Sequence, residues 1–101
     1  MAITSQGLND FANGIMAKIN DGAVIKDGVT QATPIYKWEV VGAELRVYLL
    51  FDQAFVGTLT KFQLRNVSGQ VLVDQPDNIA KIANKLLLVT FKFTLSERMV
   101  V

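Results

Sequence analysis

The stretch Glu44-Leu45-Arg46-Val47-Tyr48-Leu49-Leu50-Phe51 alternates along its whole length, with Leu45, Val47, Leu49 and Phe51 on one side and Glu44, Arg46, Tyr48 and Leu50 on the other. A period of two marks a strand, because successive side chains leave a pleated backbone on opposite faces. The first set is expected to point inward. Gly42-Ala43 turns the chain into this strand from Ile35 to Val41, where Tyr36, Trp38 and Val40 share one face and Lys37 and Glu39 the other. Thr33-Pro34 forces an extended entry, since the proline ring disfavours helical backbone in the residue before it.

Downstream, Asp52 to Gly57 reads as a loop and Thr58 to Val67 as a strand, with Phe62 and Leu64 opposed to Lys61, Gln63 and Arg65. Ser68-Gly69 turns it back into Gln70 to Asp74. Pro76 reads as the end of that strand. Asp77 then caps a short helix, or opens a structured loop, in which Ile79, Ile82, Ala83 and Leu86 repeat at helical spacing. The closing strand places Leu87, Val89, Phe91, Phe93 and Leu95 on one face. Leu86 and Leu88 begin its other face, which predicts a first half covered on both sides.

Upstream, Leu8, Phe11, Ala12, Ile15, Met16 and Ile19 fall on one face of a helix predicted over residues 5–20. Thr4 or Ser5 caps it by accepting a backbone N–H, and Asn20-Asp21-Gly22 stops it. Phe11, Ile15 and Ile19 are expected to bury against Leu45, Val47, Phe91 and Phe93. Between helix and strands, Asp27-Gly28 separates Ala23 to Lys26 from Val29 to Gln31 as a hairpin turn or a loose loop. The fold class that follows is α+β: one domain, 1–101, with an N-terminal helix packed on an antiparallel, sandwich-like sheet of about six strands.

Composition narrows the chemistry. The chain has no histidine and no cysteine, which removes Ser-His-Asp and Cys-His catalysis, the usual zinc sites and any disulfide framework. The acidic residues sit mostly at turns (Asp21, Asp27, Asp52, Asp74 and Asp77), where carboxylates hydrogen-bond the backbone. Asp74 and Asp77 lack the surrounding ligands of a calcium loop, and no glycine-rich phosphate loop is present. The expectation is a non-enzymatic protein with no cofactor and no metal.

Ten basic and nine acidic residues leave a net charge of +1 with no run of one sign, so a nucleic-acid partner is not expected. Lys61 and Arg65 flank Phe62 and Leu64 as charges on an outer strand face. Asn66-Val67-Ser68 matches the glycosylation sequon at a position where a hairpin turn favours Asn and Ser anyway. Met1 to Asp10 has no basic-then-apolar pattern of a signal peptide. The longest apolar stretch, Leu86 to Leu95, is broken by Thr90, Lys92 and Thr94, so no membrane partner is expected.

Half of the residues are hydrophobic in a chain of this length, which makes association with copies of itself a natural way to bury more surface. The apolar residues left over once the inner faces are filled are Leu50, Phe55, Val56, Met99, Val100 and Val101. Phe55, Val56, Met99, Val100 and Val101 form the candidate interface. A separate candidate is an aromatic platform of Tyr36, Trp38 and Tyr48 for a peptide or carbohydrate. Core packing with polar tips at the rim is the competing account of those three.

Two stretches carry a family resemblance. Ile3-Thr4-Ser5-Gln6-Gly7-Leu8 is similar to the opening of bacteriophage tail-fibre and tail-collar N-terminal domains, which also leads into a helix. Thr58 to Val73 resembles a later hairpin of that family, in which an apolar strand runs through a glycine turn into a short strand. The glycine-aspartate-glycine segment common there is missing, with Asp27-Gly28 nearby, and no shaft or receptor-binding tip falls within these residues. The resemblance thus implies a small structural or adaptor component of a phage or prophage tail or baseplate, assembled in the host cytoplasm and partnered by itself and other virion proteins. The alternative expectation is a cytoplasmic host binding module using the aromatic platform.

Overall fold

The computed structural model describes residues 4–94. One helix, α1 (Ser5–Met16), is followed by seven strands: β1 (Asp21–Lys26), β2 (Val29–Thr33), β3 (Lys37–Val41), β4 (Glu44–Phe51), β5 (Gly57–Arg65), β6 (Val71–Lys81) and β7 (Leu87–Thr94). All pairings are antiparallel. They form a four-stranded sheet in the order β2-β1-β5-β6 and a three-stranded sheet in the order β3-β4-β7. The two sheets pack face to face as an α+β sandwich.

Alternation supplies the core. Leu45, Val47, Leu49 and Phe51 of β4 and Leu59, Phe62 and Leu64 of β5 are buried in one cluster with Val24 of β1 and Phe91 of β7. Phe51 and Phe62 meet across the sheets with ring centroids 5.8 Å apart. The sheets come close at Gly22, where an added Cβ would come within 2.5 Å of a Leu49 methyl. Glycine is needed there because the other sheet occupies the space of any side chain.

The turns follow their chemistry. Asp27 and Gly28 both have positive φ, 51° and 81°, which is the twist that joins two right-twisted strands through two residues. The hairpin expectation therefore holds over the loose loop. Gly42 and Gly69 also take positive φ at the β3–β4 and β5–β6 turns, as glycine permits without strain.

Four sequence expectations change. The helix ends at Met16 rather than residue 20: Lys18 and Ile19 tighten into i→i+3 bonds, and the Asn20 N–H leaves to pair with the Arg65 carbonyl. Phe11, expected in the core, is 56% exposed, and Ala12 takes the buried position on the helix. Ile15, Met16 and Ile19 pack against the core as partly buried residues. Pro76 does not end a strand, and no helix follows it. β6 runs through to Lys81, with the Lys61↔Pro76 pair followed by Leu59↔Ile79, so one extra residue bulges on β6. Proline survives in a strand where its missing N–H faces no partner, and β6 is an edge strand. Lys81 at its end is buried and donates from Nζ to the Ile82 carbonyl at 2.9 Å.

Candidate interaction surfaces

The sequence candidates scatter. Trp38 lies opposite Val47 and Lys37 opposite Tyr48, so Trp38 and Tyr48 occupy opposite faces of the three-stranded sheet. One flat ligand cannot stack on both. Tyr36 is exposed just before β3. Tyr48 is held instead by its own neighbours: its hydroxyl donates to Glu39 Oε1, and Lys37 Nζ lies 5.1 Å from its ring centre. The bond to Glu39, then burial, pushes the Tyr48 phenol above its ordinary range. Arg46 beside it is bridged by Glu44 and raised by that hydrogen bond.

Of the candidate interface, Phe55 is half-buried against Phe51 (5.0 Å between ring centroids) and beneath Lys26 Nζ. Val56 stays exposed. The loop that carries them is pinned by Asp52 Oδ1, which accepts from the Ala54 and Phe55 amides. Met99, Val100 and Val101 lie outside the described residues.

Of the carboxylates expected at turns, Asp27 and Asp52 lie there, whereas Asp21 is on β1 and Asp74 and Asp77 are on β6. Asp27 Oδ1 accepts from the Thr58 amide, and Asp21 takes a two-pronged bond from Arg65 at 2.9 and 2.7 Å. Asp74 accepts from Gln63 Nε2 and pairs with Lys61 Nζ at 3.4 Å. The Gln63 bond is the main cause that holds its carboxyl below the usual range; burial opposes it, and Lys61 adds to the lowering. Asp77 Oδ1 accepts from the Asn78 amide. Among the described residues, no three acidic side chains gather as a metal site, and no helix is long and apolar enough to cross a membrane.

A surface that sequence reasoning missed lies between β6 and β7, each an edge strand of its sheet among the described residues. A groove of about 420 Å³ opens there. Its β6 wall is built from Gln75, Asp77 and Ile79, and Phe62 of β5 forms its floor. On the β7 side the consecutive residues Leu87, Leu88, Val89 and Thr90 all line it. Consecutive residues alternate between faces, so this wall is the backbone edge of β7 rather than one side-chain face.

The two edges differ in kind. β6 carries Pro76 and two register shifts, features that keep an edge from pairing. β7 pairs with β4 through eight consecutive residues without a shift, from Glu44↔Thr94 to Phe51↔Leu87. It has no proline and a single charge, Lys92. The expectation that its first half is covered on both sides fails among the described residues: Leu86 and Leu88 are 62% and 48% exposed. The alternation of β7 was legible, but sequence spacing does not say which strand of a sheet lacks a neighbour.

No family model matches the chain, and neither a curated protein nor a solved structure matches it.

Proposed function

We propose that the protein is a non-enzymatic structural or assembly component acting by protein–protein association, within the tail or baseplate of a phage or prophage. The observation that carries the association reading is the β6/β7 flank, a groove of mixed apolar and polar lining beside a strand edge that no other described strand pairs, with Leu86 and Leu88 exposed near it. Edges of this kind are normally blunted or covered in proteins that remain alone in solution. The tail reading rests on the two stretches that resemble tail-fibre and tail-collar domains. They fall on the capped start of α1, where Thr4 Oγ1 accepts from the Gly7 amide at 3.0 Å, and on β5 with its turn into β6.

On this reading the protein is made in the host cytoplasm and ends in the virion, contacting copies of itself and other virion proteins. Light scattering at high micromolar concentration tests the association: a mass above one chain is expected, and a strictly monomeric mass counts against self-assembly. Particles induced from cells that carry the gene test the location. The protein should co-sediment with them, and its absence from purified particles overturns the tail assignment.

A further inference from the structure

We infer that the β6/β7 groove receives an extended segment of a partner protein, which adds to β7 as a fourth strand of the smaller sheet. That segment places apolar side chains inward against Phe62 and Ile79 and carries a carboxylate on its outward side opposite Lys92. The inference deepens the association reading and rests on it for biological context, while its own support is geometric.

The backbone groups available on β7 can be assigned. The Tyr36 amide donates to the Tyr48 carbonyl, so the main-chain groups of Tyr48 face β3. Alternation along an antiparallel strand turns those of Val47 and Leu49 toward β7, where they meet Phe91 and Val89. Leu88, Thr90 and Lys92 consequently direct their N–H and C=O groups away from β4, toward the free edge. A strand laid there satisfies them in ladder fashion, which is how sheet edges capture extended peptides.

The groove is shaped for one strand. The larger sheet has four strands and the smaller three. The groove is walled by the β7 backbone edge on one side and by one face of β6 on the other, which is the place of a next strand beside β7. Inward side chains of that strand would meet Phe62 and Ile79, which call for apolar groups, and Gln75 and Asp77 on the same β6 wall, which accept polar ones. The β6 edge, with Pro76 and its bulges, offers no competing ladder.

Charge selects the outward side. Lys92 lies opposite Arg46 on β4, and Glu44 is already committed to Arg46 at 2.6 Å. Among the described residues Lys92 has no carboxylate partner. A carboxylate on the incoming strand, directly across from Lys92, meets a cation that its own sheet leaves unbalanced, and opposite charges across a pair stabilise a sheet.

The test uses a synthetic peptide as long as β7 that alternates valine with threonine and carries one glutamate among the threonines. Alternate amides are N-methylated so that only one of its edges can pair. Fluorescence anisotropy should give saturable binding, and the Leu88, Thr90 and Lys92 amides should gain protection from hydrogen exchange. Thr90→Pro removes an edge N–H without touching the β4 ladder, so the variant should keep its melting temperature and lose binding. If that variant fails to fold, a peptide N-methylated on both edges replaces it and should not bind to the unaltered protein. Exchanging the peptide's glutamate for lysine should weaken binding severalfold.

Absence of saturable binding overturns the inference even if light scattering shows an oligomer, in which case the association reading stands and this site does not. Binding unchanged by both the proline variant and the doubly methylated peptide also overturns it, since the contact then bypasses the edge. A peptide-free dimer that Thr90→Pro converts to monomer overturns it in favour of a second copy as the occupant. Peptide binding by a protein that stays monomeric supports the inference and limits the association reading to foreign partners.

Discussion

On the β3 side of the sandwich α1 drives Ala12 to full burial and brings Ile15, Met16 and Ile19 against the core, whereas on the β7 side the interior reaches solvent through a groove. Among the described residues, the flanks differ in whether an element covers them. An amphipathic helix joined to β1 by a few residues is a local solution, available as soon as the sheets form. The other flank has β6, whose proline and bulges prevent it from closing over β7. The covered flank is thus expected to carry stability and the open flank to carry contact with other molecules.

Phe62 is the sharpest probe of that division because it belongs to both regions: it is 1% exposed in the core and also forms the groove floor. Phe62→Ala should destabilise the protein by about 3–5 kcal/mol, the usual cost of emptying a buried aromatic site, as measured by urea unfolding. A loss below about 1 kcal/mol would mean that the floor collapses to fill the space, and that the open flank is plastic rather than preformed.

A paired substitution tests the flanks directly. Ala12→Leu inserts extra carbons where α1 meets the core and should cost about 1–3 kcal/mol through overpacking. Leu88→Ser, on the uncovered outer face of β7, should change stability by no more than about 0.5 kcal/mol. Phe11→Ala belongs with the second variant despite its place in the helical pattern, since more than half of its side chain already meets water. Equal losses at Ala12 and Leu88 in thermal melts would erase the distinction.

Phe11 also marks how far the sequence could be read. Periodicity located α1, and alternation oriented β4, β5 and β7, because burial of one face is a local constraint that each segment records by itself. Asp27-Gly28 was legible for the same reason: the φ values of a two-residue turn select those residue types. Which of Phe11 and Ala12 faces the core depends on how closely the helix approaches the sheets, and the small side chain won because a close approach admits little else. Pro76 misled because its ordinary meaning, the end of a strand, holds only where an N–H is needed, and an edge strand does not need one on its free side. Ile79 and Ile82 then mimicked a helical repeat, although Ile79 turns to the groove from a strand. The groove was hidden for a related reason. Being an edge is a property of sheet order, set by contacts between segments far apart in sequence.

The smallest expected effect concerns how β6 is fastened to the rest of its sheet. Asp74 accepts a hydrogen bond from Gln63 and pairs with Lys61 across the β5–β6 ladder, and these contacts hold its carboxyl below the usual carboxylate range. A group whose folded pKa is depressed adds stability above its unfolded pKa, near 3.9 for an aspartate, and that contribution disappears as pH falls through the lower folded value. The sign is therefore destabilisation on acidification. The effect is small, since both partners are well exposed and solvent screens the pair. Asp74→Asn keeps an acceptor oxygen and removes the titration, so the difference in melting temperature between the two proteins should shrink as pH falls from neutrality to below the carboxylate range. It should also shrink with added salt, as an exposed pair requires. A carboxyl resonance of Asp74 that titrates at or above the ordinary aspartate value would remove the basis for this prediction.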